Sequence, residues 1–354
     1  SLYLDLGGAM LDDLRVIQQR DARGALDVIA NQWEQAKYDV DIKHWEHDGR
    51  RIEKIIVAGM GGSALAALII KNWLESEIDK PIDVIRNYNL PAYANENTLV
   101  ICSSYSGNTE ETLSCLDDAI KRGCQIAITT SGGKLKEVAD ERKISLAELP
   151  SGLQPRMALI YNLRTTLKLM AHFGAIDYKY FDQVGQYSDW LRDETAGWKK
   201  DVDSGVNPAK QIALLAVGKT SIFYASHTFA PLAYKWKISW NETSKNLAFC
   251  NEMPEFNHNE FMGWASHPIQ KPYAVFDFMS QFDHSQIKKR FALSDRLLSG
   301  RRPKAHVINL QGDSVIAQML WGCILADFAS VYVAILNGVD PTPVALIEKL
   351  KKYL

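Results

Sequence analysis

The chain has 354 residues, 47% of them apolar and 23% charged, with a formal net charge of -2. That length exceeds what one hydrophobic core usually organises, so two domains are expected, each with enough apolar material for a core. The near-neutral balance gives no electrostatic reason to expect a nucleic-acid partner or an anionic membrane.

Two short basic clusters, Lys288-Lys289-Arg290 and Arg301-Arg302-Pro303-Lys304, sit beside helix-like segments and read as solvated faces. The five cysteines (102, 115, 124, 250 and 323) show no CxxC and no metal-like spacing, which suggests a reducing compartment. No apolar run approaches the roughly 18 residues that cross a bilayer. The first residues, Ser-Leu-Tyr-Leu-Asp-Leu-Gly, lack the charged and apolar regions of a signal peptide. A soluble cytoplasmic protein is expected.

Residues 8–49 carry apolar positions at helical spacing, among them Met10, Leu11, Leu14, Ile17, Leu26, Ile29 and Trp33. His44 and His47 are spaced like a helical metal pair, but no third ligand is near, so a solvated face is expected. A strand over 54–58 ends in Gly59-Met-Gly61-Gly62-Ser63-Ala64, followed by an apolar helix through about Leu74. Strands at 82–86, 99–102 and 125–129 then alternate with helices at 110–122 and 134–142, with a short edge strand at 146–149. That alternation predicts an open, mostly parallel sheet covered on both faces. A helix follows from Gln154-Pro155-Arg156 to about His172.

Residues 174–208, rich in tyrosine and charge, read as a connecting helix and linker. A second series follows: a strand at 211–217, a helix at 222–236, strands at 246–251 and 272–279, a helix at 287–298 and a strand at 306–310. A long helix at 315–337 and an amphipathic helix at 344–353 complete it. The expected organisation is an N-terminal helical segment (1–50), a first domain (51–173), the connector (174–208) and a second domain (209–354). The two halves repeat one plan: 55–58 corresponds to 212–217, 98–103 to 272–280, and 125–132 to 306–312.

Three segments of the first half follow strand ends, where open α/β sheets place ligands. They are 59–63, 104–109 and 129–133. The middle one is the most informative: Ser103, Ser104, Ser106, Asn108, Thr109 and Thr112 cluster around Gly107, with no lysine or arginine. Short hydroxyls and N–H groups at a helix start suit an oxyanion such as phosphate. The first segment also matches G-x-G-x-x-A, which makes a dinucleotide-binding oxidoreductase the competing reading. Against it, the strand at 82–86 ends in Arg-Asn, with no acidic residue for a ribose.

Taken together, Gly61-Gly62-Ser63, the 104–112 segment and Thr130-Ser-Gly-Gly133 resemble the sugar isomerase (SIS) phosphosugar-binding fold. Pro155-Arg156-Met-Ala158, Trp240-Asn241-Glu242 and Pro254-Glu-Phe-Asn-His258-Asn259 extend the likeness to the bifunctional phosphoglucose/phosphomannose isomerases, over nearly the whole chain. The resemblance implies two doubly wound SIS-type α/β domains with mostly parallel sheets. It implies that Ser104, Ser106 and Thr109 hold the sugar phosphate and that Gly62 and Ser63, with Gly61, line the sugar. Arg156 would face the reacting end, Glu242 would be the base and His258 would act in ring opening from the partner subunit of a homodimer. The family also places a lysine near the sugar with a threonine before it; Lys349 and Thr342 look like that pair, although Lys351 and Lys352 share the same tail.

The residue chemistry suits those roles. Aldose–ketose isomerisation needs one base that takes a proton from C2 and returns it at C1 through a cis-enediol(ate), and a partly buried carboxylate serves. A guanidinium suits the developing oxyanion, and histidine can relay the ring protons. Glucose and mannose 6-phosphates differ only at C2 and collapse to the same enediol. No cofactor and no metal are expected. Two other readings remain: a non-catalytic phosphosugar sensor, and an amino-sugar phosphate isomerase or deaminase.

Overall fold

The computed structural model describes residues 2–266 and 270–354, the side chains of 2–4 excepted. The chain divides into two compact units, Gln32–Asp189, and Ser1–Asn31 with Trp190–Leu354.

The unit Gln32–Asp189 is built on six strands: β1 (Ile42–Lys43), β2 (Lys54–Ala58), β3 (Ile82–Ile85), β4 (Thr98–Ser103), β5 (Gln125–Thr130) and β6 (Ser145–Glu148). Their order is β1-β6-β5-β4-β2-β3, parallel throughout except for β1 against β6. Strand β4 is buried at every position because helices cover both faces. On one face Ile56, Val100, Cys102, Ile126 and Ile128 pack with Cys115 and Leu116 of helix Glu110–Lys121 and Leu135 of helix Gly133–Arg142. Helix Leu159–His172 lies on the other face, tied to the sheet by a 2.8 Å hydrogen bond between Thr129 Oγ1 and Thr165 Oγ1.

The other unit carries β7 (Thr220–Ser226), β8 (Ala248–Met253), β9 (Tyr273–Met279) and β10 (His306–Asn309), all parallel in the order β10-β9-β7-β8. One face packs Ile222, Tyr224 and Val275 with Phe256, Trp264 and Phe291. On the opposite face Phe223 meets Trp236 and Trp240 at ring-centroid distances of 5.5 and 5.0 Å. The two sheets share a plan, since β5-β4-β2-β3 and β10-β9-β7-β8 are wound alike. The correspondences 98–103 with 272–280 and 125–132 with 306–312 match this winding.

Several sequence expectations need correction. The apolar run 211–217 belongs to helix Pro208–Ala216, not to a strand. Asn207 caps it, accepting from the Ala209 and Lys210 N–H groups at 3.0 and 3.2 Å, with Pro208 in the first turn. The strand matching β2 is therefore β7, and the helix expected at 222–236 begins only at Ala230 and runs to Glu242. Residues 8–49 are not helical throughout: the last helical turn ends at Lys37 and the chain continues into β1. That makes β1 the edge strand, so β6 is interior.

The helix Val315–Asn337 is long and apolar enough by composition to cross a membrane, contrary to the expectation that no such run exists. Inside the protein 94% of its most apolar window is buried, as befits a core helix. Around it gather residues of the first 31: Arg20 Nη1 donates to the Ile335 carbonyl at 2.5 Å, closing the end of the long helix. Asp12 pairs with the buried Lys210 at 3.1 Å. These ties place 1–31 with the second sheet, whereas 32–50 joins the first. The segment 174–208 is likewise shared, at 189/190.

Candidate active site

In the six-stranded unit the winding reverses between β2 and β4, so their carboxyl ends open the crevice where such sheets take ligands. Three loops meet there, each leading into a helix: Gly61–Leu74 after β2, Glu110–Lys121 after β4 and Gly133–Arg142 after β5. None of the three receives a side-chain cap from its N-cap residue. Thr109 holds the N-cap position of Glu110–Lys121, yet its Oγ1 shares a 2.7 Å hydrogen bond with Ser104 Oγ. Ser106 Oγ stands 3.5 Å from Ser104 Oγ and accepts from Asn108 N at 3.2 Å. Three hydroxyls thus form one array at a helix start whose first N–H groups have no partner within the helix. Ser104 is buried, Thr109 half-buried and Ser106 exposed, so the array has an inner and an outer end. An oxyanion there would meet hydroxyl and amide donors and the positive end of the helix dipole.

Two glycines allow the loops to cross. A Cβ on Gly107, whose φ is +77°, would lie 1.8 Å from the Gly132 carbonyl oxygen. One on Gly133, at φ +67°, would lie 2.3 Å from the Ser106 carbonyl oxygen. Across the crossing, Leu135 N donates to the Gly107 carbonyl at 3.0 Å and Lys134 N to Asn108 Oδ1 at 2.9 Å. The 130–133 segment therefore braces the hydroxyl loop, and side chains larger than hydrogen at these two points would break the brace.

The loop after β2 is fixed from the other side. Ser63 Oγ accepts from the Tyr105 N–H at 3.2 Å, and the Ser63 carbonyl accepts from Ser103 Oγ and Asn162 Nδ2 at 3.2 and 3.3 Å. A Cβ on Gly62 would sit 3.5 Å from the Pro155 carbonyl oxygen and 3.6 Å from Arg156 Cα, so the 3-10 turn Pro155–Ala158 lies against the glycines. Gly61, at φ +51°, has open space beside it. The Arg156 side chain is buried, and its Nη1 lies 3.5 Å from Gln154 Oε1. The structure thus brings Gly61, Gly62, Ser63, Ser104, Ser106, Thr109 and Arg156 together in one unit.

The remaining candidates lie in the four-stranded unit on three separate elements. Glu242, half-buried, is the last residue of helix Ala230–Glu242, beyond the wholly buried Trp236 and Trp240. His258 ends the 3-10 turn Glu255–His258 after β8 and is exposed. Its mount is firm: Phe256 is buried, and Asn257 Nδ2 donates to Ser294 Oγ at 2.9 Å. Lys349 is exposed on helix Ala345–Lys351, none of whose residues is buried. Thr342 precedes that helix, its N–H donating to Asp340 Oδ1 at 3.0 Å.

Sequence reasoning missed Asn162 and Tyr105. Buried Asn162 holds the Ser63 carbonyl, and the Tyr105 hydroxyl donates to the Pro150 carbonyl at 2.8 Å while accepting from Leu153 N at 2.9 Å. The one available signal is an asparagine in an otherwise apolar helix start. Among the described residues no group of three or more His, Cys, Asp or Glu side chains could hold a metal ion. His44 instead pairs with Asp140 at 2.9 Å and His47 stacks edgewise on His172.

Comparison with known proteins agrees with this division. Residues 50–169 match the SIS domain, and residues 205–354 match the bacterial phospho-glucose isomerase C-terminal SIS domain. A bifunctional phosphoglucose/phosphomannose isomerase of Aquifex aeolicus is 35% identical over 85% of this chain and 90% of its own length. The protein of that name from Caldicellulosiruptor bescii is 37% identical over 86% of this chain and 90% of its own. Among solved structures, a glucose-6-phosphate isomerase like protein from Thermus thermophilus superposes with a TM-score of 0.65 at 17% identity, covering 97% of this chain and 99% of that one. At that identity the superposition speaks to the fold alone. The identities of a third or more over most of both chains settle the family: this chain belongs to the bifunctional phosphoglucose/phosphomannose isomerases.

Proposed function

We propose that the chain is an aldose–ketose isomerase that interconverts glucose 6-phosphate and mannose 6-phosphate with fructose 6-phosphate through a shared cis-enediol(ate). The observation that carries the reading is the array of Ser104, Ser106 and Thr109 at a helix start without a side-chain cap, in a chain of this family. Three hydroxyls, helix N–H groups and no acid in the loop itself describe a receptor for a phosphate monoester, the inert end of the substrate.

In this reading Ser104, Ser106 and Thr109 bind the phosphate, and Gly61, Gly62 and Ser63 line the sugar. Glu242 takes the C2 proton of the open-chain aldose, leaving an enediol(ate), and returns it to C1 to give the ketose. Delivery to either face of C2 in the reverse direction yields the glucose or the mannose configuration. Arg156, a permanent cation, stabilises the charge that develops on the enediolate oxygens. His258 moves the protons that open the sugar ring, and its exposure at the end of its turn suits action on a partner subunit's substrate in a homodimer. Lys349, on the exposed C-terminal helix, contacts the sugar. The protein groups suffice for the chemistry, and five free cysteines suit the cytoplasm.

The test is a coupled assay on fructose 6-phosphate, read separately for glucose 6-phosphate and mannose 6-phosphate. The expected result is formation of both at rates within about an order of magnitude of each other. Binding without turnover would make the chain a phosphosugar sensor. Turnover of glucosamine 6-phosphate with ammonia release, and not of the neutral sugars, would move it to the amino-sugar enzymes.

A further inference from the structure

We propose that Lys235 and Asp327 form a positioning pair that sets the axial register of the helix bearing Glu242, and that they act on turnover through that residue. The inference rests on the reading of Glu242 as the base.

Lys235 Nζ and Asp327 Oδ1 are 2.7 Å apart, with side chains only 1% and 2% exposed. Desolvating two charges is costly, and an apolar pair of like volume commonly gives equal or greater stability. A role in stability alone therefore leaves the pair without an advantage over apolar packing. Register is a better account, because apolar helix contacts are tolerant of sliding whereas a buried charge has one acceptable partner position.

The geometry fits a rail. Helices Ala230–Glu242 and Val315–Asn337 meet at several points along their length. Near the start Gly322 admits the second helix so closely that a Cβ there would lie 2.7 Å from Leu232 Cδ2, and Trp236 Nε1 donates to the Gly322 carbonyl at 3.1 Å. Lys235, one residue before Trp236, reaches Asp327, five residues beyond Gly322 on the long helix. Beyond the end of the helix, Ser244 Oγ donates to the Ser330 carbonyl at 2.7 Å, and Ser330 Oγ donates to the Asp327 carbonyl at 3.1 Å.

Glu242 is thus bracketed. Lys235 lies seven residues before it, on the same helix face within about 20° at 3.6 residues per turn. Ser244 lies two residues after it. A slip of one residue would move the carboxylate by about 1.5 Å along the axis and turn it by about 100°. An error of about 1 Å at a reacting group can cost on the order of a hundredfold in rate.

The test compares wild type with the double variant Lys235→Met/Asp327→Leu, which keeps volume and removes the charges. The expected results are a melting temperature no lower than wild type, KM for fructose 6-phosphate within about twofold, and kcat lowered by tenfold or more. A structural role alone would move the melting temperature and leave kcat of the folded protein intact. Should the double variant not fold, Asp327→Asn keeps the shape and one acceptor and is expected to lower kcat with KM unchanged. Wild-type kcat in either folded variant overturns the pairing role. Glu242→Gln, assayed alongside, separates the two readings: full turnover there removes the base assignment itself. An inactive Glu242→Gln beside an unimpaired Lys235→Met/Asp327→Leu removes only the positioning role.

Discussion

The loops that follow β4 and β9 occupy corresponding places in two sheets of the same winding, yet they treat the next helix oppositely. After β4, Thr109 turns its hydroxyl away from the helix it caps and toward Ser104, so its side chain leaves the first turn uncapped. After β9, the N-cap side chain bonds its own helix. His284 Nδ1 accepts from Gln286 N at 3.0 Å, and the buried Asp283 sits just before the helix, its Oδ2 accepting from Ser280 N at 3.3 Å. One helix start has no side-chain cap from its N-cap residue; the other is capped by the His284 ring. In two copies of one scaffold, the difference lies in whether the N-cap side chain bonds its own helix.

The strongest way to sharpen this contrast separates chemistry from binding. Glu242→Gln should lower kcat by about 10²–10⁴-fold, the usual contribution of a general base, while KM for fructose 6-phosphate holds steady in steady-state assays. A parallel rise in KM would mean that the four-stranded unit also contributes to holding the substrate's ground state.

A second contrast lies in the central strands. Residues 99–102 of β4 are Leu-Val-Ile-Cys, wholly apolar, whereas β9 buries Asp277, with Oδ1 unpartnered. Burial pushes this carboxyl up to about 7, although the Arg302 guanidinium pulls it down. Because the folded state binds the proton more tightly, the associated stability is full below about 4 and is lost as pH rises through about 7. Asp277→Asn should therefore stabilise the protein at pH 8, on the order of 2–4 kcal/mol. It should gain progressively less toward pH 4. Melting curves of both proteins across that range check it, and a difference independent of pH would contradict the burial of a titrating group.

Smaller effects belong to the loops themselves. Ser104→Ala removes one donor to a charged ligand, worth roughly 1.5–3 kcal/mol, and should raise KM about 10–100-fold with kcat little changed. Asp283→Asn, at the corresponding loop of the other sheet, should leave KM within about twofold. If the Asp283→Asn and Ser104→Ala effects were equal, the asymmetry between the loops would be lost.

What was legible in the sequence was local. The array at 104–109 declares itself because strand, hydroxyls and helix start are contiguous, and the mostly parallel pairing of β2 to β6 follows from plain alternation. What was illegible depended on distant partners. Asn162 meets Ser63 across 99 residues, and Lys235 meets Asp327 across 92, with no sequence mark of either encounter. The strand expected at 211–217 failed for another reason: a short apolar run fits helix or strand, and the deciding signal was the Asn207-Pro208 start before it. That misreading displaced the following helix as well, hiding that Glu242 closes it.

The central claim is that Glu242 carries a proton at C2 while Ser104, Ser106 and Thr109 hold the phosphate. Exchange at the substrate's C2 position in deuterated water tests it most directly, followed by NMR for wild type and Glu242→Gln at saturating sugar phosphate. The predicted result is deuterium at C2 with wild type and none above background with the variant. Deuterium incorporation at the wild-type rate in Glu242→Gln would contradict it.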